Sequence, residues 1–369
     1  METLMLYFIV VVHIWTVLFN TCNSARLGPA SAKFPAILVF GDSTVDTGNN
    51  NYIDTVVRAN FLPYGQDYPD GPTGRFSNGK LVPDLLASVL KIKEAVPAFL
   101  DPKLSDQEII TGVCFASAGS GFDNQTNAAT KIIPVLKQID LFRKYIARLQ
   151  GIVGEEKAKQ IISGSLVIIS AGTNDVAIIK EEDSEYQYFL LDRTQTFVKA
   201  STAVSLHFLQ ISNLSMNLQE LYDLGCRTMI ISGLPPVGCL PIQMAIARRN
   251  SSELRCLDDQ NSYAQSFNRK LVKMLPQIQQ MLSGSKIVYL DMYKTLIEMI
   301  DQPQKYGFVE TKRGCCGTGV IELGFLCNRL TKTCEEASEY LFWDAIHPSL
   351  AAYQYIAKHV EDKIIHSLL

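Results

Sequence analysis

Histidine is scarce in this chain, with 5 in 369 residues, and neither sign of charge dominates: 34 Lys and Arg stand against 37 Asp and Glu. The formal net charge of −3 provides no surplus of clustered cations, which phosphate binding requires, so nucleic acid is excluded as the main partner. Basic runs such as Arg248-Arg249 and Lys312-Arg313 stop at two residues and read as solvated surface. Internal repeats, low-complexity tracts and linkers are absent, which argues for one domain. Past the first 25 residues no stretch is long and apolar enough to span a bilayer. The 9 cysteines include no C-x-x-C pair, which argues against a zinc site.

Hydrophobic residues make up 47% of the chain and charged ones 19%, enough apolar material for a sizeable core. Leu4 to Phe19 reads LMLYFIVVVHIWTVLF, followed by the small, polar stretch Asn20 to Ala25. This is the pattern of an export leader cleaved near Ser24 or Ala25, leaving residues 26–369 as a single domain. The first residues carry Glu2 and no Lys or Arg, so an uncleaved anchor is the alternative. Asn124-Gln125-Thr126, Asn213-Leu214-Ser215 and Asn250-Ser251-Ser252 are N-glycosylation acceptors in an exported chain. Loss of the leader removes Cys22. Of the cysteines that remain, Cys239, Cys256, Cys315, Cys316, Cys327 and Cys334 lie in the last third, where disulfides staple loops. Spacing leaves their pairing open. Cys114 and Cys226 adjoin apolar runs and read as buried free thiols.

Short runs rich in β-branched residues recur at wide spacing: Ala36–Phe40, Leu166–Ser170, Thr228–Ser232, Ile287–Leu290 and a weaker one, Gly112–Ala116. Each is nearly continuous in apolar character, as in strands covered on both faces. Helical spacing marks Tyr186 to Leu224, Ser262 to Leu282 broken by Pro276, and Leu350 to Leu369. Strands alternating with helices predict an α/β fold with a parallel sheet, whose ligands bind outside the carboxyl ends of the strands. Polar, glycine-bearing turns follow three runs: Gly41-Asp42-Ser43, Ala118–Gly121 and Gly172–Asp175.

Ester hydrolysis by serine needs a hydroxyl, a base in reach, a group that holds the base, and donors for the oxyanion. Ser43 directly follows a strand-like run, at a turn able to expose its Oγ; the plainer reading is a helix cap by Asp42 and Ser43. The base follows by elimination. His13 leaves with the leader, while His207, His359 and His366 fall in helical stretches. His347 remains, with Asp344 three residues before it, a spacing that lets the carboxylate accept from the imidazole in a turn; for the pair alone the plainer reading is a surface capping interaction. Pro348 favours extended backbone at His347 and starts the next helix. Asn174 and Gly119, just past strand ends, supply a side-chain amide and an unshielded backbone N–H, or serve simply as turn formers.

F-G-D-S with T-G-N-N following, F-A-S-A-G-S-G, G-T-N-D and D-x-x-H-P occur in this order between residues 40 and 348. Together they resemble the four blocks of the GDSL (SGNH) hydrolase family. Gly74-Arg75-Phe76-Ser77-Asn78-Gly79 and Cys315-Cys316-Gly317 are similar to segments of its plant extracellular lipase-like branch. The resemblance implies a flavodoxin-like three-layer α/β/α sandwich with five central parallel strands. It also implies Ser43 as nucleophile, His347 as base, Asp344 as orienter, and Ser43, Gly119 and Asn174 as oxyanion donors, with Gly121 a substitute for Gly119. Cys114 stands where that branch often has Asn or Ser, so hydrogen bonding there differs. The reaction implied uses no metal or cofactor, and its partner is a small-molecule or lipid ester, fatty-acyl by default. An acyltransferase with the same site and a non-catalytic wall or lipid-binding protein are the alternatives.

Overall fold

Four of the five strand-like runs lie side by side in one sheet, β1 (Ile37–Gly41), β2 (Leu166–Ser170), β3 (Thr228–Ser232) and β4 (Lys286–Leu290). The structure, a computed structural model, describes residues 33–122, 126–127, 130–178, 220–247, 253–365 and 368. The expected leader, His13, His207, His366 and the sequon residues Asn124, Asn213 and Asn250 lie outside these, as does most of the helix expected over 186–224. All pairings in the sheet are parallel, in the order β1-β2-β3-β4. β1 is buried at every residue and β2 at all but its last, as apolar runs with no polar alternation require. β4, at the sheet edge, is only half-buried.

The fifth run departs from a regular strand. Residues 111–117 run along the outer edge of β1 through alternating backbone bonds, among them Val39 N to Val113 O (3.2 Å) and Phe115 N to Val39 O (2.7 Å). Only isolated parallel bridges form, Cys114 facing both Val39 and Ala98. Counted with this segment, the chain order across the sheet is 2-1-3-4-5, the flavodoxin-like arrangement. Pairing loosens here because Gly112 takes a positive φ of 93° and would drive a Cβ into Ile37, and because the Asn49 side chain, from the loop after β1, donates to the Cys114 and Ala116 carbonyls.

Helices cover the sheet through apolar stripes. In α1 (Val82–Val89) Pro83 stands in the first turn and Asp84 accepts from Leu81 N, closing the helix start. α2 (Gln138–Val153) turns Ile139, Phe142, Tyr145 and Leu149 inward, and the rings of Phe142 and Tyr145 meet the stacked pair Phe40 and Phe115 edge-on. α3 (Glu155–Gly164) leads into β2, and α4 (Thr173–Ile178) leaves it. The helix expected from 262 starts earlier and runs unbroken as α5 (Asp258–Met281) through Pro276. Pro276 is exposed, and so is Val272, whose carbonyl loses its partner to the proline; the helix continues past both on its solvent-facing side. α6 (Met292–Asp301) follows β4, and α7 (Leu350–Val360) begins after the N-cap Ser349, so Pro348 precedes the cap instead of opening the helix.

A second, two-stranded parallel sheet pairs β5 (Glu310–Gly314) with β6 (Tyr340–Phe342). Between them runs a loop tied by Cys315–Cys334 and Cys316–Cys327, while Cys239–Cys256 closes a separate loop. Cys114 and Cys226 are buried and unpaired, and burial pushes both thiols up to about 12. No described helix is long and apolar enough to cross a membrane.

Candidate active site

β1 ends at Gly41, where the chain turns sharply. Its φ is 140°, and any Cβ there would collide with the Ser170 carbonyl of β2. Gln138, fully buried on α2, grips this residue from both sides: its Oε1 accepts from Gly41 N and its Nε2 donates to Gly41 O, each at 2.8 Å. One turn follows, closed by Asp46 N to Asp42 O (2.9 Å), and no regular helix continues it. The Asp42 carboxylate accepts from Thr44 N and Thr44 Oγ1 inside the turn, so capping is the role of Asp42 and leaves Ser43 Oγ free for other partners. Burial pushes the Asp42 carboxyl up to about 6 against those bonds.

The T-G-N-N stretch holds the neighbouring loop. Asp46 accepts from Gly48 N, Asn49 N and, across to the second polar turn, Ala118 N (2.9 Å). Asn49 Nδ2 donates to the Cys114 and Ala116 carbonyls, and Asn50 Nδ2 to Ala118 O. Cys114, where a polar side chain was the family pattern, donates from Sγ to Val45 O (3.3 Å), and its carbonyl accepts from Asn49 Nδ2. Asn174, at the start of α4, donates to Ser120 O at 2.9 Å, and Asp175 accepts from Phe122 N. Ser43, Gly119 and Asn174 thus stand on three loops at one rim of a parallel sheet.

Gly119 and Gly121 separate clearly. Gly119 has a φ of 82° and room for a Cβ, so its backbone conformation demands glycine. Among the described residues, neither its N–H nor that of Ser43 has a protein acceptor. Gly121 N already donates to Asn127 Oδ1 (3.0 Å), and a Cβ there would run into the Asp175 carboxylate. Gly121 is therefore glycine for packing and no longer a substitute donor.

His347 reaches the rim from the far end of the chain. Its Nε2 lies 2.8 Å from Ser43 Oγ, and its Nδ1 lies 2.8 and 3.0 Å from Asp344 Oδ2 and Oδ1. Asp344 Oδ1 also accepts from Ile346 N and His347 N, so the D-x-x-H spacing closes as a turn around the carboxylate. All three side chains are buried. His359, by contrast, sits on α7.

Three further side chains support this segment. Tyr64 donates to Asp344 Oδ2 (2.7 Å) and accepts from Gly324 N (2.9 Å). Burial, then the Asp344 charge, hold the phenol well above its ordinary value, so it remains a donor. Phe76 packs on the His347 ring at 4.9 Å and on Tyr64 at 5.5 Å. Its neighbour Arg75 forms a bidentate buried pair with Asp84 of α1 and donates to Thr47 O, tying G-R-F-S-N-G to the serine-bearing loop. Burial works against the Arg75 charge, but Asp84 outweighs it and holds the guanidinium above its ordinary value. The quoted motif was the available sign for Phe76; for Tyr64 and Gln138 there was none.

A buried hydroxyl bonded to an imidazole that a carboxylate orients is the constellation for acyl transfer. The GDSL-like lipase/acylhydrolase family model matches residues 37–360, from the first residue of β1 to the last of α7. The chain belongs to that family. A GDSL esterase/lipase of Arabidopsis thaliana is 51% identical over 371 aligned residues, covering 99% of this chain and 100% of the relative. A second from the same plant is 48% identical over 95% of each chain, and a third 49% over 94% of each. Membership makes this chain a carboxylic ester hydrolase with the SGNH hydrolase fold.

Proposed function

We propose that the chain is a secreted serine esterase that hydrolyses fatty-acyl esters through an acyl-enzyme on Ser43. The observation that carries the reading is the unbroken line from Ser43 Oγ to His347 Nε2 and from His347 Nδ1 to Asp344, each step at 2.8 Å. Oγ attacks the ester carbonyl carbon as its proton passes to Nε2, and the carbonyl oxygen takes the electron pair. The Ser43 and Gly119 amides and the second amide hydrogen of Asn174 receive that oxyanion. Collapse expels the alcohol, which takes the proton from His347. Water then attacks the acyl-enzyme, again through His347, and releases the acid. Asp344 accepts from Nδ1–H, which fixes the tautomer and offsets the imidazolium charge.

The leader at residues 1–25 supports export, leaving residues 26–369 as one catalytic domain, and the disulfides in the last third fit an oxidising compartment. Asn124, Asn213 and Asn250 are the glycan sites under this reading. Ser43→Ala is expected to be secreted and folded while turnover of a short-chain nitrophenyl ester falls on the order of 10⁶-fold. A fluorophosphonate probe is expected to label wild type at Ser43 and leave the variant unlabelled. Turnover retained by the variant removes Ser43 from the mechanism.

A further inference from the structure

The loop stapled by Cys315–Cys334 and Cys316–Cys327 presents its apolar side chains to water. Phe325 is 67% exposed, Leu326 45%, Leu330 94% and Ile321 54%, all within ten residues of chain. Isolated exposed leucines are ordinary, but a cluster of this size on one small loop marks a contact surface. The loop is rigid besides. Asn328 Nδ2 donates to Phe325 O (2.8 Å) and Thr331 Oγ1 to Leu326 O (3.0 Å), so little freedom remains to be lost on docking.

Charge selects the occupant. Arg329 and Lys332 flank Leu330, are exposed, and have no carboxylate partner among the described residues. The one acid between 320 and 333, Glu322, is turned back onto Thr318 Oγ1 and Gly319 N. Large apolar groups beside unpaired cations suit a layer with acyl chains inside and anionic groups at its surface. The position also fits. Glu322 O accepts from Ala345 N (2.9 Å), and Gly324 N reaches Asp344 through the Tyr64 hydroxyl, so the patch stands beside the residues that orient His347.

We infer that this loop docks the enzyme onto an anionic lipid surface, with Phe325, Leu326 and Leu330 inserted and Arg329 and Lys332 against the headgroups. The purpose of such docking, delivery of an ester from that surface to Ser43, rests on the esterase reading above; the docking itself does not. Binding is tested by co-sedimentation of the secreted chain with phosphatidylcholine vesicles with and without phosphatidylglycerol. Wild type is expected to sediment with the anionic vesicles. Phe325→Ala with Leu330→Ala is expected to lower partitioning at least about tenfold, since each loses most of a buried side chain's transfer free energy. Arg329→Gln with Lys332→Gln is expected to cost about fivefold per charge and to abolish salt sensitivity. Melting temperature and turnover of a soluble short-chain ester, unchanged in both variants, establish that they fold. Wild type left in the supernatant, or variants that sediment like wild type, overturn the inference. A chain that binds vesicles and hydrolyses no ester sinks the esterase reading alone.

Discussion

The two halves of the proposed active site are held by different means. On the nucleophile side, Ser43, Gly119 and Asn174 sit at the ends of neighbouring parallel strands or the loop beside them. Short side chains lock them from within: Gln138 on Gly41, Asp46 on Ala118, Asn174 on Ser120. On the base side no strand of the main sheet takes part. His347 and Asp344 follow the short strand β6 and are braced by Tyr64, by Phe76, and by a loop that two disulfides hold. Backbone hydrogen bonding of a regular sheet places the first half, and side chains recruited from distant loops place the second. Damage to the supports of the first half is therefore expected to appear as lost stability, and damage to the supports of the second as lost rate.

Among these supports the largest effect is expected from Gln138→Leu. Leucine keeps the volume but leaves the buried Gly41 N–H without an acceptor, a loss of about 2–3 kcal/mol measured by urea denaturation. Equal stability would show that the grip on Gly41 is redundant. Tyr64→Phe keeps the ring against Phe76 and removes one donor from Asp344. About a tenfold fall in kcat with unchanged KM and nearly unchanged melting is expected, because Asp344 retains its three remaining donors. A fall in melting temperature with an unchanged kcat would make Tyr64 merely structural.

The smallest effect concerns Asp42. Burial lifts its carboxyl to about 6, above the 3.8 of an unfolded chain, so between those values the native state holds the proton more tightly. Its contribution to stability is thus fully present below the unfolded value and is lost as pH rises through 6. Asp42→Asn mimics the protonated form and still accepts from Thr44. Wild type is expected to gain about 1 kcal/mol more than the variant between pH 7 and pH 5, read from paired denaturation curves. Parallel curves would place the Asp42 carboxyl in contact with water.

Several features were legible before any tertiary structure. Continuous apolar runs marked β1, β2 and β3 almost to the residue, because strands covered on both faces tolerate no polar alternation. The edge position of β4 and the irregular edge run at 111–117 were not, since coverage by neighbours is not written in a run's own residues. Pro276 read as a helix break because its spacing cannot say that the proline stands on the exposed face of a helix otherwise packed on the core. His347 emerged from a count of histidines, and nothing in the sequence separated Gly119 from Gly121, of which, among the described residues, only the second has its N–H bonded, to Asn127 Oδ1.

By itself, then, the sequence determined what is local or periodic: strand cores, the turn chemistry of Gly41 and Gly119, and the short reach from Asp344 to His347. Tertiary structure alone decided the pairing of six cysteines, the role of Tyr64, and the meeting of Ser43 with His347 across 304 positions. The reason is physical. Backbone preferences act over a few residues, whereas a hydrogen bond between distant side chains exists only after the packed core has set its two ends at bonding distance.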